Sequence, residues 1–348
     1  MFRRNVLMLL VFVCPLFLHG QARLENPRLH ALVLQGIDLT WQQAFGAADS
    51  VFQVLTREFP DHPAGFTYRA GLKLTFAEDH ETLLDRAEFD SLLGLGKEKA
   101  QRLLASKSDA KWGHFFLGTA NGSDSYARIY RGDWVGGTVK GLASVSSFES
   151  ALKLDSSMVD AYAGIGAYSY WRSRKTEYFN WLPFIGDARP EAYAMLQKAV
   201  DHGVYNCFTA LSMLSAIYLD AEKYAQARDC AQAGLRQYPT NRTFLWALST
   251  VFDRTKDYRG ASRSYSDLLA SIKNDPTGNS YNEFVARLNL AESFAQIGEV
   301  ESARTLLAFV LRAQIGQFGG HLQSRVQNNM ERARRLEKRL STSPGEGR

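Results

Sequence analysis

The chain has 348 residues, of which 45% are hydrophobic and 22% are charged, and its formal net charge is +5. This balance is typical of a folded protein with a sizeable core and excludes an intrinsically disordered chain. Nine prolines and 27 glycines are too few for a collagen-like or linker-dominated chain. The length suits one elongated repeat domain or two compact domains.

Residues 1–22 have the pattern of a secretory signal peptide. Arg3 and Arg4 supply positive charge before the apolar run Val6–Leu18. That run is shorter than the roughly 20 apolar residues that a membrane-spanning helix needs. Gly20 and Ala22 fit a small-x-small cleavage site, so we expect cleavage near Gly20 to Ala22. The sequence therefore predicts an exported, periplasmic or envelope-associated protein that does not span the membrane.

The first predicted helix pair covers about residues 29–62, in a region 23–158 that we expect to be helical and repeat-like. Apolar or small residues stand at helix spacing on two successive stripes: Leu32, Gly36, Leu39, Phe45, Ala48, Phe52 and Leu55. Pro60 follows and would end the second helix, because proline lacks the backbone donor. The small Ala48 is expected where the second helix crosses the first.

The segment 63–158 is also predicted to be helical, although it departs from this period. Trp112 and Phe116 belong to a first helix, and Phe148 and Ala151 belong to the end of a second. Gly132-Asp133-Trp134 is the expected turn between them. The result is a long-armed unit of about 48 residues.

Region 159–317 contains the same pattern at a 34-residue period. Units are predicted at about 208–241, 242–275 and 284–317, and another unit begins at Tyr162. That unit is interrupted by an aromatic insert, residues 171–188. Three interpretations of the insert stay open: a lid over a ligand, an edge that docks a partner or a membrane surface, and a plug between unequal units.

The C-terminal region accounts for most of the net positive charge. The last 28 residues hold seven Lys or Arg against three Glu. Residues 318–341 place apolar side chains on one helix face and basic ones on the other, as expected of a capping helix, and residues 342–348 are predicted to be a flexible tail. Because the basic character is confined to one helix, the sequence does not favour nucleic-acid binding.

These spacings resemble the tetratricopeptide repeat, whose 34-residue pattern is Trp-x-x-Leu-Gly-x-x-Tyr, then Ala-x-x-x-Phe, then Pro. The resemblance implies an all-α fold, a right-handed α-solenoid of stacked antiparallel helix pairs with a C-terminal capping helix. Together with the N-terminal signal and the Asn180-Trp181-Leu182-Pro183 segment, the chain also resembles exported bacterial tetratricopeptide-repeat proteins of uncharacterised role.

In this family the first helices line a concave groove that binds peptides or small ligands. The resemblance carries that groove over to three sets of positions: Ala163, Ala167, Tyr170 and Trp171; Ser212, Ala216, Leu219 and Asp220; Trp246, Thr250, Asp253 and Arg254. Trp246, Tyr170 and Arg254 are the expected anchors, since aromatic residues and Arg dominate hot spots. The insert adds Arg174, Tyr178 and Trp181 as predicted binding residues. Packing of Trp246 on a neighbouring helix is the alternative.

The sequence predicts no catalytic residue, no cofactor and no metal site. The histidines are scattered, and His-x-x-x-His, Cys-x-x-Cys and Gly-x-Ser-x-Gly spacings do not occur. Gly164-x-Gly166 matches half of a dinucleotide-binding fingerprint, but it lies inside a predicted helix, where a packing role is favoured. We therefore expect a protein that is not an enzyme.

Two functions remain open, and the first is preferred. The protein is either a scaffold that binds a protein or peptide partner of the envelope in its groove, or a periplasmic solute-binding protein with the insert as lid. The second predicts an enclosed pocket near Tyr170, Trp181 and Trp246, with a bound small-molecule ligand. An enzyme would need a cluster of His, Asp and Glu in space, and a self-associating structural role is a further alternative.

Overall fold

The computed structural model describes residues 21–106, 109–177 and 186–342. All regular structure in these ranges is helical, with fifteen α-helices and, between the last two of them, two short 3₁₀ segments. The helices are α1 Pro27–Trp41, α2 Phe45–Glu58, α3 Ala64–His80, α4 Arg86–Leu103, α5 Ala110–Tyr130, α6 Trp134–Leu154, α7 Ala161–Lys175, α8 Arg189–His202, α9 Cys207–Asp220, α10 Tyr224–Gln237, α11 Arg242–Arg254, α12 Tyr258–Lys273, α13 Ser280–Gln296, α14 Val300–Arg312 and α15 Gln323–Thr342. The 3₁₀ segments are Ile315–Gln317 and Gly320–Leu322.

Helices α1 to α14 form seven consecutive pairs, units 1 to 7, and each pair packs on the next. Helix α15 packs on α13 and α14 at the end of the stack. This arrangement confirms the predicted all-α solenoid of stacked helix pairs. None of the described helices is both long and apolar enough to cross a membrane.

Small residues set the close crossing of the two helices within a unit. Ala48, Ala227, Ala261 and Ala303 occupy the equivalent position in four units, and each is fully buried. In unit 1 a Cβ added to Gly36 would lie 2.2 Å from the Phe52 ring. Larger side chains at these positions would force the helices apart, which explains why the sequence repeats small residues there.

Unit 3 is the longest pair, since α5 and α6 have 21 residues each. Gly132 makes the turn between them with a φ of +85°, and the Asp133 carboxylate accepts a hydrogen bond of 2.9 Å from the Gly136 N–H. Helix α7 has only 15 residues. The first residues of α6 therefore form the tip of a longer arm.

The stack of units curves so far that each of the first two units contacts the unit that follows five units later. At the end of α1, the Tyr238 hydroxyl donates to Asp38 over 2.9 Å, and the Asn241 amide donates to the Trp41 carbonyl over 2.7 Å. At the end of α3, the Asn279 and Asn282 amides donate to the Asp79 carbonyl. Unit 1 thus meets the start of unit 6, and unit 2 meets the start of unit 7.

Contacts between early and late parts of the chain also involve the capping helix α15 and the N-terminal segment before α1. Arg325 of α15 forms a bidentate ion pair with Glu81 at 2.6 and 2.8 Å. The Leu24 N–H donates to the Tyr205 hydroxyl over 2.9 Å, and the Ala22 N–H donates to the Ser157 carbonyl. Ala22 and Leu24 are therefore held by the folded body, whereas residues 1–20 of the predicted signal peptide lie outside the described residues.

Candidate partner-binding groove

A pocket of about 220 Å³ lies between the first helices of units 5 and 6. It contains five of the residues that were predicted to face the groove, from α9 and from α11: Ser212, Ala216, Leu219, Trp246 and Thr250. The remaining walls are Ser215, Thr243, Phe244 and Ala247. Adjacent first helices therefore form a concave wall here, with hydroxyl groups and small side chains beside the Trp246 indole, Leu219 and Phe244.

Trp246 both packs on a neighbouring helix and lines this pocket. Its ring meets the Tyr265 ring edge-on, with centroids 6.1 Å apart and planes at 75°. The side chain is half-buried, so one part of the indole stays open to the pocket. The two alternatives that the sequence left open for Trp246 are therefore compatible.

Asp253 and Arg254 end α11 in different environments. The Tyr265 hydroxyl donates to the Asp253 carboxylate over 2.6 Å. Desolvation raises the pKa of Asp253, and nearby Glu292 acts in the same direction. Arg254 is exposed to solvent. Asp253 is thus held by the protein itself, while Arg254 is accessible to a partner.

Tyr170 does not form part of an open wall. Its side chain is 1% exposed, and its hydroxyl donates to Asp220 over 2.7 Å. Burial, followed by the contact with Asp220, raises the pKa of Tyr170 well above its ordinary value. The predicted groove anchor at Tyr170 is therefore a buried link between α7 and α9, because Asp220 offers its hydroxyl an acceptor.

Arg174 and Trp171 lie on the accessible side of this link. Arg174 donates to the Asp220 carboxylate over 2.9 Å and pairs with Glu177. Trp171 is 39% exposed and meets the Tyr170 ring edge-on. The predicted residues Tyr170, Trp171, Arg174 and Asp220 are thus brought together at one end of the inner wall.

The insert is shorter than the predicted range 171–188, because α7 continues through Lys175. Two contacts join its ends: the Ala188 N–H donates to the Ser173 hydroxyl over 3.0 Å, and Arg189 pairs with Glu177 at 3.4 Å. The predicted binding residues Tyr178 and Trp181 lie outside the described residues.

A second, basic pocket of about 550 Å³ lies where α13 meets α15. Its lining residues are Glu292, Arg332, Arg335, Lys338, Arg339 and Thr342. Arg332 bridges the helices, since it donates to Asn289 over 2.9 Å and to Glu292 over 2.5 Å. The sequence signal for this pocket is the spacing of Arg332, Arg335 and Arg339 on one face of the capping helix. That spacing does not reveal that α13 forms the other side of the pocket.

One group in the described residues has metal-ligand chemistry: ligand atoms of Asp79, His80 and Asp275 lie within 4.8 Å of one another. The Arg242 guanidinium lies 2.8 Å from the Asp275 carboxylate and also contacts Asp79. An arginine therefore already supplies the positive charge between the two carboxylates. This donor set does not fit a metal ion, and the cluster instead connects unit 2 to units 6 and 7.

No family model and no curated protein matches this chain. Among solved structures, it is similar to the TPR domain of P58(IPK), with 13% sequence identity and a TM-score of 0.29. That similarity covers 91% of this chain and 99% of the P58(IPK) chain. The assignment of a tetratricopeptide-like architecture follows from the stacked helix pairs described above.

Proposed function

We propose that this protein is an exported, non-catalytic scaffold that binds a segment of a protein partner along the inner wall of its solenoid. The observation that carries the proposal is the pocket between α9 and α11, in which the half-buried Trp246 indole lies among small and hydroxyl side chains, beside Leu219 and the buried Phe244. A half-buried tryptophan in a concave site is typical of a binding hot spot.

The size and flanks of this pocket favour a polypeptide segment over a small solute. At about 220 Å³ it is smaller than the roughly 300–1,000 Å³ of most small-molecule sites. Charged side chains continue the wall on both sides, with Arg174 and Asp220 toward α7 and with Glu292 and Arg332 toward α15. An extended segment can place one apolar side chain beside Trp246 and polar groups against these flanks.

Export is part of this proposal and rests on the sequence pattern of residues 1–22. Mass measurement of the protein recovered from the envelope fraction tests it. We expect a chain that begins at Gln21 or Arg23. A chain of full mass that still contains Met1 and stays with the cytoplasmic fraction would contradict export.

Replacement of the accessible anchors tests the groove. In the variant Trp246→Leu with Arg254→Ala, leucine keeps apolar contact with Tyr265 while the indole and guanidinium are removed. We expect recovery of the co-purified partner to fall at least tenfold, as for a loss of about 1.4 kcal/mol or more. The matched control is Phe309→Leu, an exposed aromatic residue on α14. Equal recovery with both variants would remove the groove proposal.

A further inference from the structure

An uncharged apolar stripe lies exposed at the beginning of α6. Trp134, Val135, Val139 and Leu142 are 54%, 79%, 59% and 51% exposed. They lie within nine consecutive residues of helix, over an axial distance of about 12 Å at 1.5 Å per residue. We call these four residues the α6 stripe. Isolated exposed apolar residues are ordinary, but four on one side of a helix mark an interaction surface.

The stripe stands apart from the groove. It lies on the second helix of unit 3, whereas the groove is formed by first helices, and it begins at the tip of the longest helix pair. Helix α7 runs beside it in the opposite direction, because Lys175 contacts Trp134 while Tyr168 contacts Gly141. The α6 stripe is therefore a separate surface at the end of an arm.

Basic side chains border the α6 stripe. The Lys175 ammonium lies 4.9 Å from the centre of the Trp134 ring. Arg131 precedes α6, and Arg172 lies on the same side of α7 as Lys175; both are exposed. Lys140 of α6 does not add to this charge, because it pairs with Asp124 at 3.8 Å. The acidic neighbour Asp133 accepts hydrogen bonds from Arg128 and from the Gly136 N–H, so its charge is compensated. The surface therefore combines apolar side chains with uncompensated positive charge.

We propose that the α6 stripe binds the surface of an anionic lipid bilayer. Apolar side chains enter the boundary between headgroups and acyl chains, tryptophan prefers that boundary, and basic side chains pair with anionic headgroups. The binding is peripheral and does not depend on which partner occupies the groove.

Charge argues against a second copy of the chain as the occupant. In a two-fold symmetric dimer the same patch meets itself, so the basic border of one copy, with Lys175 and Arg172, would be brought close to the basic border of the other. Like charges that are brought close together repel, whereas an anionic bilayer complements both the apolar stripe and its basic border.

The test is co-sedimentation with vesicles made of equal parts phosphatidylglycerol and phosphatidylcholine. The sample is the chain from Gln21 onward, which contains every described helix but lacks the apolar run Val6–Leu18 that would bind lipid by itself. We expect Val135→Ser with Val139→Ser to weaken binding about tenfold, because two side chains no longer leave water. The matched control is Leu154→Ser, an exposed leucine at the opposite end of α6, which should bind like the wild type.

A second variant tests the charge contribution. Arg172→Glu with Lys175→Glu should remove the preference for anionic over pure phosphatidylcholine vesicles, and added salt should weaken wild-type binding.

Absence of wild-type binding to anionic vesicles would overturn the proposal, as would binding unaffected by the valine replacements. A concentration-dependent dimer that the valine replacements abolish would instead assign the stripe to self-association. A clear loss of thermal stability in that variant would show that the chain itself covers the stripe.

Discussion

Arg242 is the first residue of α11, yet its side chain is only 5% exposed and lies between carboxylates from distant parts of the chain. Asp79 and Asp275 are buried to a similar degree, at 7% and 5%. His80 completes the cluster, with its Nε2 atom 3.0 Å from Asp275 and 2.8 Å from the Thr277 hydroxyl. In such a cluster the mutual attraction offsets the loss of hydration only while all partners are present.

Replacement of Arg242 by methionine should therefore be strongly destabilising. The variant keeps the aliphatic volume but leaves two buried carboxylates without their main counter-charge. We expect the free energy of unfolding to fall by about 3–5 kcal/mol, measured by urea denaturation. Arg28→Met, which removes the exposed pair with Glu58, is the control and should change stability little. A small effect of Arg242→Met would show that the cluster is hydrated in solution.

His62 gives the protein a pH dependence of known sign. Desolvation lowers the pKa of its imidazole to about 4 from the ordinary 6.5, against a smaller opposing effect of Asp109. Its Nδ1 atom accepts a hydrogen bond from the Ala64 N–H at the start of α3, which requires that atom to be unprotonated. The unfolded chain thus binds this proton more tightly than the folded chain does.

The contribution of neutral His62 is fully present above about pH 6.5 and is lost as the pH falls from 6.5 to 4. This contribution to the free energy of unfolding is at most about 3 kcal/mol, at 1.36 kcal/mol per unit of difference between the pKa of His62 in the folded and unfolded chains. His62→Asn keeps an acceptor for Ala64 but does not titrate. The stability difference between wild type and this variant, measured across that range, should decrease in acid. A difference that is constant with pH would contradict the assignment.

At the scale of helices, Phe148 shows how three elements are fitted together. Its ring lies between Gly118 of α5 and Gly164 of α7. A Cβ on Gly118 would come within 2.7 Å of the ring, and a Cβ on Gly164 within 2.3 Å. The half-fingerprint Gly164-x-Gly166 therefore serves close helix packing, which is the interpretation that the sequence favoured.

Gly164→Ala should destabilise the protein even though alanine is the better helix former. Overpacking costs about 1–3 kcal/mol, against a gain of about 1 kcal/mol in helix propensity. The matched control is Gly94→Ala in α4, where a Cβ would meet nothing within 4 Å. We expect thermal unfolding to shift down for the first variant and up for the second. Equal upward shifts would mean that Phe148 moves aside without cost.

The helix pairs could be predicted because their signals are local. Ala227 and Ala261 recur at a fixed spacing, and Pro239 follows α10 as a helix-ending residue. The burial of Tyr170 could not be predicted, since its partner Asp220 is 50 residues away. Position within the repeat predicted the wall that contains Trp246, but it did not reveal which wall residues are already paired with one another.

At the scale of the whole molecule, the contact between early and late units has no local signal at all. Asp38 and Tyr238 are 200 residues apart, and Glu81 and Arg325 are 244 residues apart. Each contact uses ordinary polar residues at the ends of helices. The repeat pattern predicts stacked pairs, but the closing of the turn depends on the small rotation accumulated over five units.

Hydrogen exchange can test whether this closure is cooperative. If the contact around Arg242 opens, the start of α11 and the end of α3 should lose their protection together. Arg242→Met is therefore expected to speed amide exchange in both segments. The amides in the middle of α8, which has no part in that contact, serve as the internal control. Faster exchange in α11 alone would mean that the two sides are not coupled.

The central claim is that the inner wall around Trp246 binds a polypeptide segment, and site-specific photo-crosslinking in the native envelope tests it most directly. A photoreactive residue replaces Thr250 inside the pocket or, as control, Phe309 on α14. We expect one discrete protein segment to be crosslinked from position 250 but not from position 309. We also expect this crosslink to be lost with Trp246→Leu. Identical crosslinks from both positions would contradict the claim, as would a bound mass of a few hundred daltons in place of a protein.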